Sequence, residues 1–217
     1  MIAGVYDVSE ITPSLISNLL KELGDFTRKV AITIKNLSPG IVFEKPEVYI
    51  QYGKSNFLLP ISELSSNKGL VWGARKVASV TAGTVGVIVY HLKNRNESLA
   101  FMWSVPFNYA FYSNWWNLKV YKGRVKANQG KNSRARSSSI INFTIFNIMI
   151  NGLELYDKMY NELPHKGDNN VYRGVLNDDL LYTGSMGESG TPTIKVEILN
   201  YTTISTTPFV KEMKRNL

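Results

Sequence analysis

Polar and apolar positions alternate with two different periods along this chain, and the change from one to the other divides it into parts. Between Ile11 and Leu23 the apolar residues Ile11, Leu15, Ile16, Leu19, Leu20 and Leu23 recur every three or four positions, with Ser14, Ser17, Asn18, Lys21 and Glu22 between them. That spacing puts the apolar set on one face of a helix. Thr12 suits the cap, Pro13 the first turn and Gly24 the position just past the end. From Val30 onward the pattern becomes short β-branched and aromatic runs separated by turn residues. VAITI (30–34), EVYIQY (47–52), NFLLP (56–60), GLVWG (69–73), VGVIVYHL (85–92), LAFMWSV (99–105), LKVYKG (118–123) and TIKVEIL (193–199) are the expected strands. A second helix is expected over LELYDKMYNEL (153–163), ended by Pro164. Strands dominate and do not alternate with helices, so the expectation is a mainly β fold, an antiparallel sandwich or barrel.

The chain of 217 residues is 44% apolar, enough for one core, so a single domain over 1–217 is expected. Its parts are an amphipathic segment (1–27), a sandwich (28–199) carrying the second helix, and a Thr/Ser-rich then basic tail (200–217). The stretch GKNSRARSSSIINFTIFNIMING (130–152) fits neither period, being basic and serine-rich in its first half and Ile, Phe and Asn in its second.

A formal net charge of +8 draws the surface to anionic or zwitterionic partners such as nucleic acid or membrane headgroups. There is no cysteine, hence no disulfide and no thiolate metal site, and the two histidines, His91 and His165, have no spacing that suggests a metal or a triad. No acid–base pair or nucleophile arrangement emerges, so the chain does not read as an enzyme and no cofactor is expected. The start MIAGVYDVSE lacks the basic and long apolar regions of a secretory signal, and no apolar run of the length of a membrane span is present.

The remaining signal is local. In SVPFNYAFYSNWW (104–116), Phe107, Tyr109, Phe111, Tyr112, Trp115 and Trp116 crowd into ten positions of a chain that is 12% aromatic. Pro106 ends a strand, and Asn108, Ser113 and Asn114 are turn formers, so several rings are expected on a loop. Exposed clustered rings suit a membrane interface, a cage for quaternary ammonium, or stacking on nucleic-acid bases.

The run SVPFNYAFYSNWWNLKVYKG resembles the signature of actinoporins, the pore-forming cytolysins of sea anemones and their relatives, which reads SVPYDYNWYSNWWN followed by a strand and a KG turn. AGTVGVIVY (82–90) is similar to the family's TGAVGVLAY, LLKELGDFTRKVAI (19–32) to its helix-to-first-strand junction, and YDKMYNELPHKGDN (156–169) to its second helix and the RGD-bearing turn after it. The resemblance implies an antiparallel β-sandwich flanked by two α-helices, secreted with a nematocyst origin. It also implies docking on phosphocholine headgroups, notably sphingomyelin, followed by release of the N-terminal helix and homo-oligomerisation into a cation-permeable pore in the target membrane. Nucleic acid is then not a partner.

On matching positions the resemblance implies a phosphocholine site of Val85, Ser104, Pro106, Tyr112, Tyr156 and Tyr160. It implies membrane-interface rings at Tyr109, Phe111 and Trp115, with Trp116 turned to the core. Departures from the family are Phe111 in place of a Trp, Tyr52 in place of a small polar residue, Asn161 in place of a tyrosine, and Lys166-Gly167-Asp168 in place of RGD. The 130–152 stretch is an insertion relative to the family, either a surface loop or a translated intron whose excision would restore the spacing. A second reading stays open: a non-lytic lipid- or glycan-binding, lectin-like member of the same fold.

Helix arithmetic bears on the pore. Pro13–Leu23 would be about 16 Å long, whereas Met1–Leu23 as one helix would reach about 35 Å against a hydrocarbon core of about 30 Å. Asp7, Glu10 and Glu22 would then need a wet side, which several such helices would supply as a cation-preferring lumen, with Leu15, Leu19 and Leu23 part of the inserted segment.

Overall fold

The computed structural model describes residues 2–127 and 152–201. The expectations placed on the insertion (130–152, apart from Gly152) and on the tail beyond Tyr201 lie outside the described residues. In chain order the elements are β1 (Gly4–Asp7), a 3₁₀ turn (Val8–Glu10), α1 (Pro13–Glu22), β2 (Lys29–Asn36), β3 (Phe43–Tyr52), β4 (Lys68–Arg75), β5 (Thr84–Leu92), β6 (Glu97–Val105) and β7 (Trp115–Lys122). After these come α2 (Gly152–Asn161), β8 (His165–Lys166), β9 (Tyr172–Val175), β10 (Leu180–Met186) and β11 (Thr193–Asn200).

The strands form two sheets, ordered β1-β4-β2-β11-β10-β9 and β3-β5-β6-β7-β8. Their inner faces meet in one core, where Trp72 of the first sheet meets Trp103 of the second edge-on at 5.7 Å and Phe43, Phe101 and Trp116 are buried around them. α1 packs on β2 and β4, and α2 packs across the second sheet. Every residue of β5 is buried, because its inner face meets the core and its outer face, Val85, Val87 and Val89, lies under Leu155, Tyr156 and Met159 of α2. Double coverage of this kind is why the strand reads as a continuous apolar run.

α1 forms where its sequence signals placed it. The Thr12 hydroxyl accepts from Leu15 N at 3.2 Å, Pro13 opens the first turn, and Gly24 takes φ +86°, a left-handed conformation that suits glycine just past a helix end. Lys29 closes the other end by donating from Nζ to the carbonyls of Leu20 (2.9 Å) and Gly24 (2.7 Å). Ile16, Leu19 and Leu23 are buried against the sheet.

Three features correct the sequence reading, and a fourth adds to it. The sandwich is not wholly antiparallel, because β2 and β11 pair in parallel. These two strands lie at opposite ends of the sandwich sequence, so the long intervening chain supplies the crossover that a parallel pair needs. NFLLP is a loop rather than a strand. Ser55 Oγ donates to Gly73 O at 2.6 Å and accepts from Phe57 N at 3.0 Å, Pro60 has no amide to give a ladder, and Leu58 and Ile61 stand 87% exposed. β1, β8, β9 and β10 are additional strands. Finally, the residues before Thr12 are not a helical extension at rest: Gly4–Asp7 pair with Lys68–Val71 of β4, and Asp7 forms an ion pair with Lys68 at 2.9 Å.

Candidate functional site

Register builds the site. Gly86, Trp103 and Trp116 lie opposite one another across β5, β6 and β7, and this row faces the core. One residue along, Val85 pairs with Ser104, Ser104 with Trp115, and Trp115 with Lys166, while Tyr52 of β3 pairs with Val85. Because successive side chains of a strand point to opposite faces, this second row, Tyr52–Val85–Ser104–Trp115–Lys166, lies on the outer face beside α2.

α2 brings two phenols to that row. The Tyr156 ring stacks on Tyr160 with centroids 5.9 Å apart at 26°, and the Tyr156 phenol is hydrogen-bonded to Ser104. Burial pushes the Tyr156 phenol up to about 12, against a smaller opposing effect of the Ser104 hydrogen bond, so it stays neutral at physiological pH. Asp157, its neighbour on α2, has its carboxyl raised by desolvation, and its charge acts on both Tyr156 and Tyr49. The arrangement is a wall of stacked phenols with an anion beside it and a hydroxyl at its foot, which is suited to a group that is cationic at one end and polar at the other.

The loop between β6 and β7 carries the remaining rings. Phe111 is 79% exposed and Tyr112 61% exposed, Phe107 is at the margin of exposure, and Trp115 is half-buried at the start of β7. Arg28, at the start of the chain's passage into β2, anchors this loop. Its Nε and Nη2 donate to Phe107 O at 3.0 and 2.8 Å, and its guanidinium lies 4.6 Å from the Tyr109 ring. Tyr109 is thereby half-buried, with its hydroxyl 2.6 Å from Asn114 Oδ1 and 2.9 Å from Ser189 O. It is placed as a buttress under the loop, whereas Phe111 and Tyr112 project from it. The neighbouring turn meets the same loop so closely that a Cβ on Gly83 would stand 1.8 Å from Val105 O.

The structure therefore brings Val85, Ser104, Tyr156 and Tyr160 together. Pro106 and Tyr112 belong to the adjoining loop, and Tyr112 also lines a hollow with Lys166 and Glu188. The N-terminal residues are elsewhere: Asp7 and Glu10 are exposed on the first sheet's margin, Leu15 is half-buried, and Leu19 and Leu23 are fully buried. Asp157 and Lys166 were not legible as site residues, since only α2's packing and the β7–β8 register place them there.

Both histidines are held neutral. Burial and then the Lys119 charge lower His165, whose ring stacks on Tyr172 at 4.4 Å with Nε2 at 2.5 Å from the Tyr182 hydroxyl. Burial and then Arg124 lower His91, with the partial opposition of Glu47 and Glu44; Arg124 Nε donates to His91 Nε2, and His91 Nδ1 meets Ser98 Oγ at 2.9 Å. The unfolded chain takes up these protons first, near the ordinary value of 6.5, so this stabilisation is complete above that pH and is lost as the pH falls below it. Thermal melts between about pH 7.5 and pH 5.5 are expected to show a falling Tm, with a shallower fall in a His91→Gln/His165→Gln variant. An equal slope in the two proteins would refute the assignment.

Comparison with known proteins adds a second line. A family model described as sea anemone cytotoxic protein matches residues 1–139. DELTA-actitoxin-Afr1c of Actinia fragacea is 32% identical over 195 residues, covering 89% of this chain and 94% of the relative. Cytolysin tenebrosin-B of Actinia tenebrosa is 32% identical over 196 residues, covering 89% and 79%. Deep-sea actinoporin Cjtox I of Cribrinopsis japonica is 32% identical over 184 residues, covering 85% and 72%. Among solved structures, the lipid binding protein Nakanori shares the fold, with a TM-score of 0.58 at 16% identity over 86% of this chain and 77% of the other.

Proposed function

The chain belongs to the sea anemone cytotoxic protein family, and from that premise we propose that it is a secreted pore-forming cytolysin that docks on phosphocholine-bearing membranes, with sphingomyelin among its targets. The observation that carries this reading is the convergence of Ser104, Val85, Tyr156 and Tyr160 on one outer face, at the end of the sandwich where Phe111, Tyr112 and Trp115 are presented.

The quaternary ammonium lies against the stacked phenols of Tyr156 and Tyr160, with Tyr112 and Pro106 closing the loop side. Asp157 adds attraction without ion pairing, and Ser104 donates to the phosphate. Cation–π contact supplies roughly 0.5–2 kcal/mol here. Val85 gives the headgroup an apolar floor. Phe111 and Trp115 enter the interfacial zone, where a ring's apolar body and polar edge are both accommodated.

Insertion then draws on the N-terminal segment. It must surrender the β1–β4 ladder and the α1 packing, and lipid takes over the contacts of Leu15, Leu19 and Leu23. The strand Gly4–Asp7 has to become helix for the segment to span. Several copies with Asp7 and Glu10 turned to a shared lumen make it cation-permeable.

Release of contents from phosphatidylcholine vesicles, with and without sphingomyelin, tests the reading when run beside binding to the same vesicles. Binding with concentration-dependent release is expected, stronger with sphingomyelin. Binding without release would overturn the pore and leave a lipid-binding protein.

A further inference from the structure

At the opposite end of β5 and β6 from Val85 and Ser104, where His91 pairs with Ser98, lies a hollow of about 280 Å³ whose lining includes Lys45, His91, Asn94, Asn96, Gly123 and Arg124. The span from Val85 to His91 along β5, about 20 Å, separates it from the headgroup row. We propose that this hollow binds a carboxylate borne on a hydroxylated ring, as in an acidic sugar, with the Arg124 guanidinium clasping the two carboxylate oxygens and the Asn94 and Asn96 amides meeting the hydroxyls. The site shares no residue with the headgroup face, so it stands or falls independently of that reading.

Hydrogen-bond directions fix the guanidinium. Arg124 Nε lies 3.3 Å from His91 Nε2, and because arginine only donates, that ring nitrogen must accept. The ring proton is therefore on Nδ1, which donates to Ser98 Oγ at 2.9 Å, and the Ser98 hydroxyl donates in turn to Gly123 O at 2.8 Å. This chain of bonds ties the guanidinium to the turn after β7 without neutralising it, since its partner is an imidazole kept uncharged by burial and by Arg124 itself. The two Nη groups, which form the fork that matches a planar carboxylate, have no partner among the described residues.

The carboxylates around the hollow are already matched. Glu44 pairs with Lys45 at 3.1 Å, Arg95 pairs with Asp179 at 2.6 Å and with Glu97 at 3.8 Å, and Glu97 also accepts from Asn177 Nδ2 at 3.2 Å. Glu47, whose charge also acts on His91, accepts from Ala127 N at 3.0 Å. Among the described residues of the lining, Arg124 is the cation left without a carboxylate, so the hollow suits a single negative charge. A doubly charged phosphate would set its second charge against Glu44 and Glu97. The β5–β6 turn adds neutral groups, because Asn94 and Asn96 are exposed there and their side-chain amides have no partner among the described residues. A Cβ on Gly123 would meet nothing within 4 Å, so the space over the facing turn is open. Backbone strain marks the same place: Lys45 takes φ +51° at the register break between Glu44 and Glu47, an irregularity of the kind that re-aims side chains beside a site.

Amide NMR of the full chain, titrated with glucuronate, acetate, glucose or inorganic phosphate, tests the assignment. Glucuronate is expected to give saturable shifts at Lys45, Asn94 to Asn96 and Gly123 to Arg124, acetate weaker ones at the same amides, and glucose none, with phosphate binding no better than acetate. Arg124→Gln should weaken glucuronate at least about tenfold, and Arg124→Lys, which keeps the charge and loses the fork, should fall nearly as far. Arg124 is exposed, and unchanged resonances in the rest of the sandwich report that each variant is folded. The absence of saturable shifts at these amides, glucose matching glucuronate, phosphate exceeding it, or full affinity in Arg124→Lys would each overturn the site. Methyl β-glucuronide then separates the sources: binding equal to that of glucuronate identifies the end of a glycan, and loss of binding on capping identifies the free acid.

Discussion

A protein lacking residues 1–23 is expected to bind phosphocholine vesicles as the full chain does and to release none of their contents. The deleted segment and the headgroup residues sit on different sheets. α1 packs on β2 and β4, whereas Val85, Ser104 and Trp115 lie on β5, β6 and β7 under α2. Among the described residues, the Tyr156–Tyr160 stack and the Arg28 anchor on Phe107 O are made by residues outside the deleted segment. The deletion does remove the burial of Ile16, Leu19 and Leu23, roughly 1.5–3 kcal/mol for each side chain, so the variant melts lower and is best assayed in the cold. Undiminished release by the folded truncated protein would refute a role for this segment in the pore.

The second large effect is expected at the phenol wall. Tyr160→Ala removes a ring at the margin of exposure, stacked on Tyr156. The loss of its cation–π share, up to about 2 kcal/mol, corresponds to a roughly 5- to 30-fold weaker affinity for phosphocholine vesicles. Tyr156 needs a gentler change. It belongs to the cluster of Val85, Val87, Met102, Leu155 and Met159, and truncation of a buried aromatic to Ala costs about 3–5 kcal/mol of stability, which would confuse folding with binding. Tyr156→Phe keeps the ring and loses only the Ser104 hydrogen bond, so affinity should fall less than in Tyr160→Ala. Equal, undiminished binding by both variants, measured by vesicle sedimentation, would remove the phenols from the site.

Local signals were legible in the sequence and tertiary register was not. α1 follows from Thr12, Pro13 and Gly24, because a cap and a left-handed stop act within a few residues. The exposure of Phe111 and Tyr112 follows from the loss of alternation after Pro106. NFLLP misled because Phe57 and Leu59 pack inward and Leu58 outward, an alternation that a loop laid over the core shares with a strand. β10 was passed over because Gly184 and Ser185 interrupt its apolar run, yet Gly184 is there to admit Trp116, whose ring a Cβ would meet at 2.5 Å. The site residues came from resemblance to a family, and what joins them, the row from Tyr52 to Lys166, exists only once five strands are aligned. Tyr109 shows the same limit, since one of its two hydroxyl partners, Ser189 O, lies eighty residues away.

The parallel pairing of β2 with β11 also governs how the molecule can be made. In the first sheet the final strand in chain order lies in the interior, between β2 and β10. Until it arrives, both of those neighbours are raw edges with unpaired amides and carbonyls, and such edges invite pairing with other chains. A nascent or clipped polypeptide that stops short of Thr193 is therefore sticky and unfinished, however complete its headgroup face. Closure waits on the longest-range pairing in the sheet, which makes folding slow and places it after synthesis of that strand. For a member of a family of cytolysins, this order of assembly keeps the chain in its maker's hands until the last strand is in place.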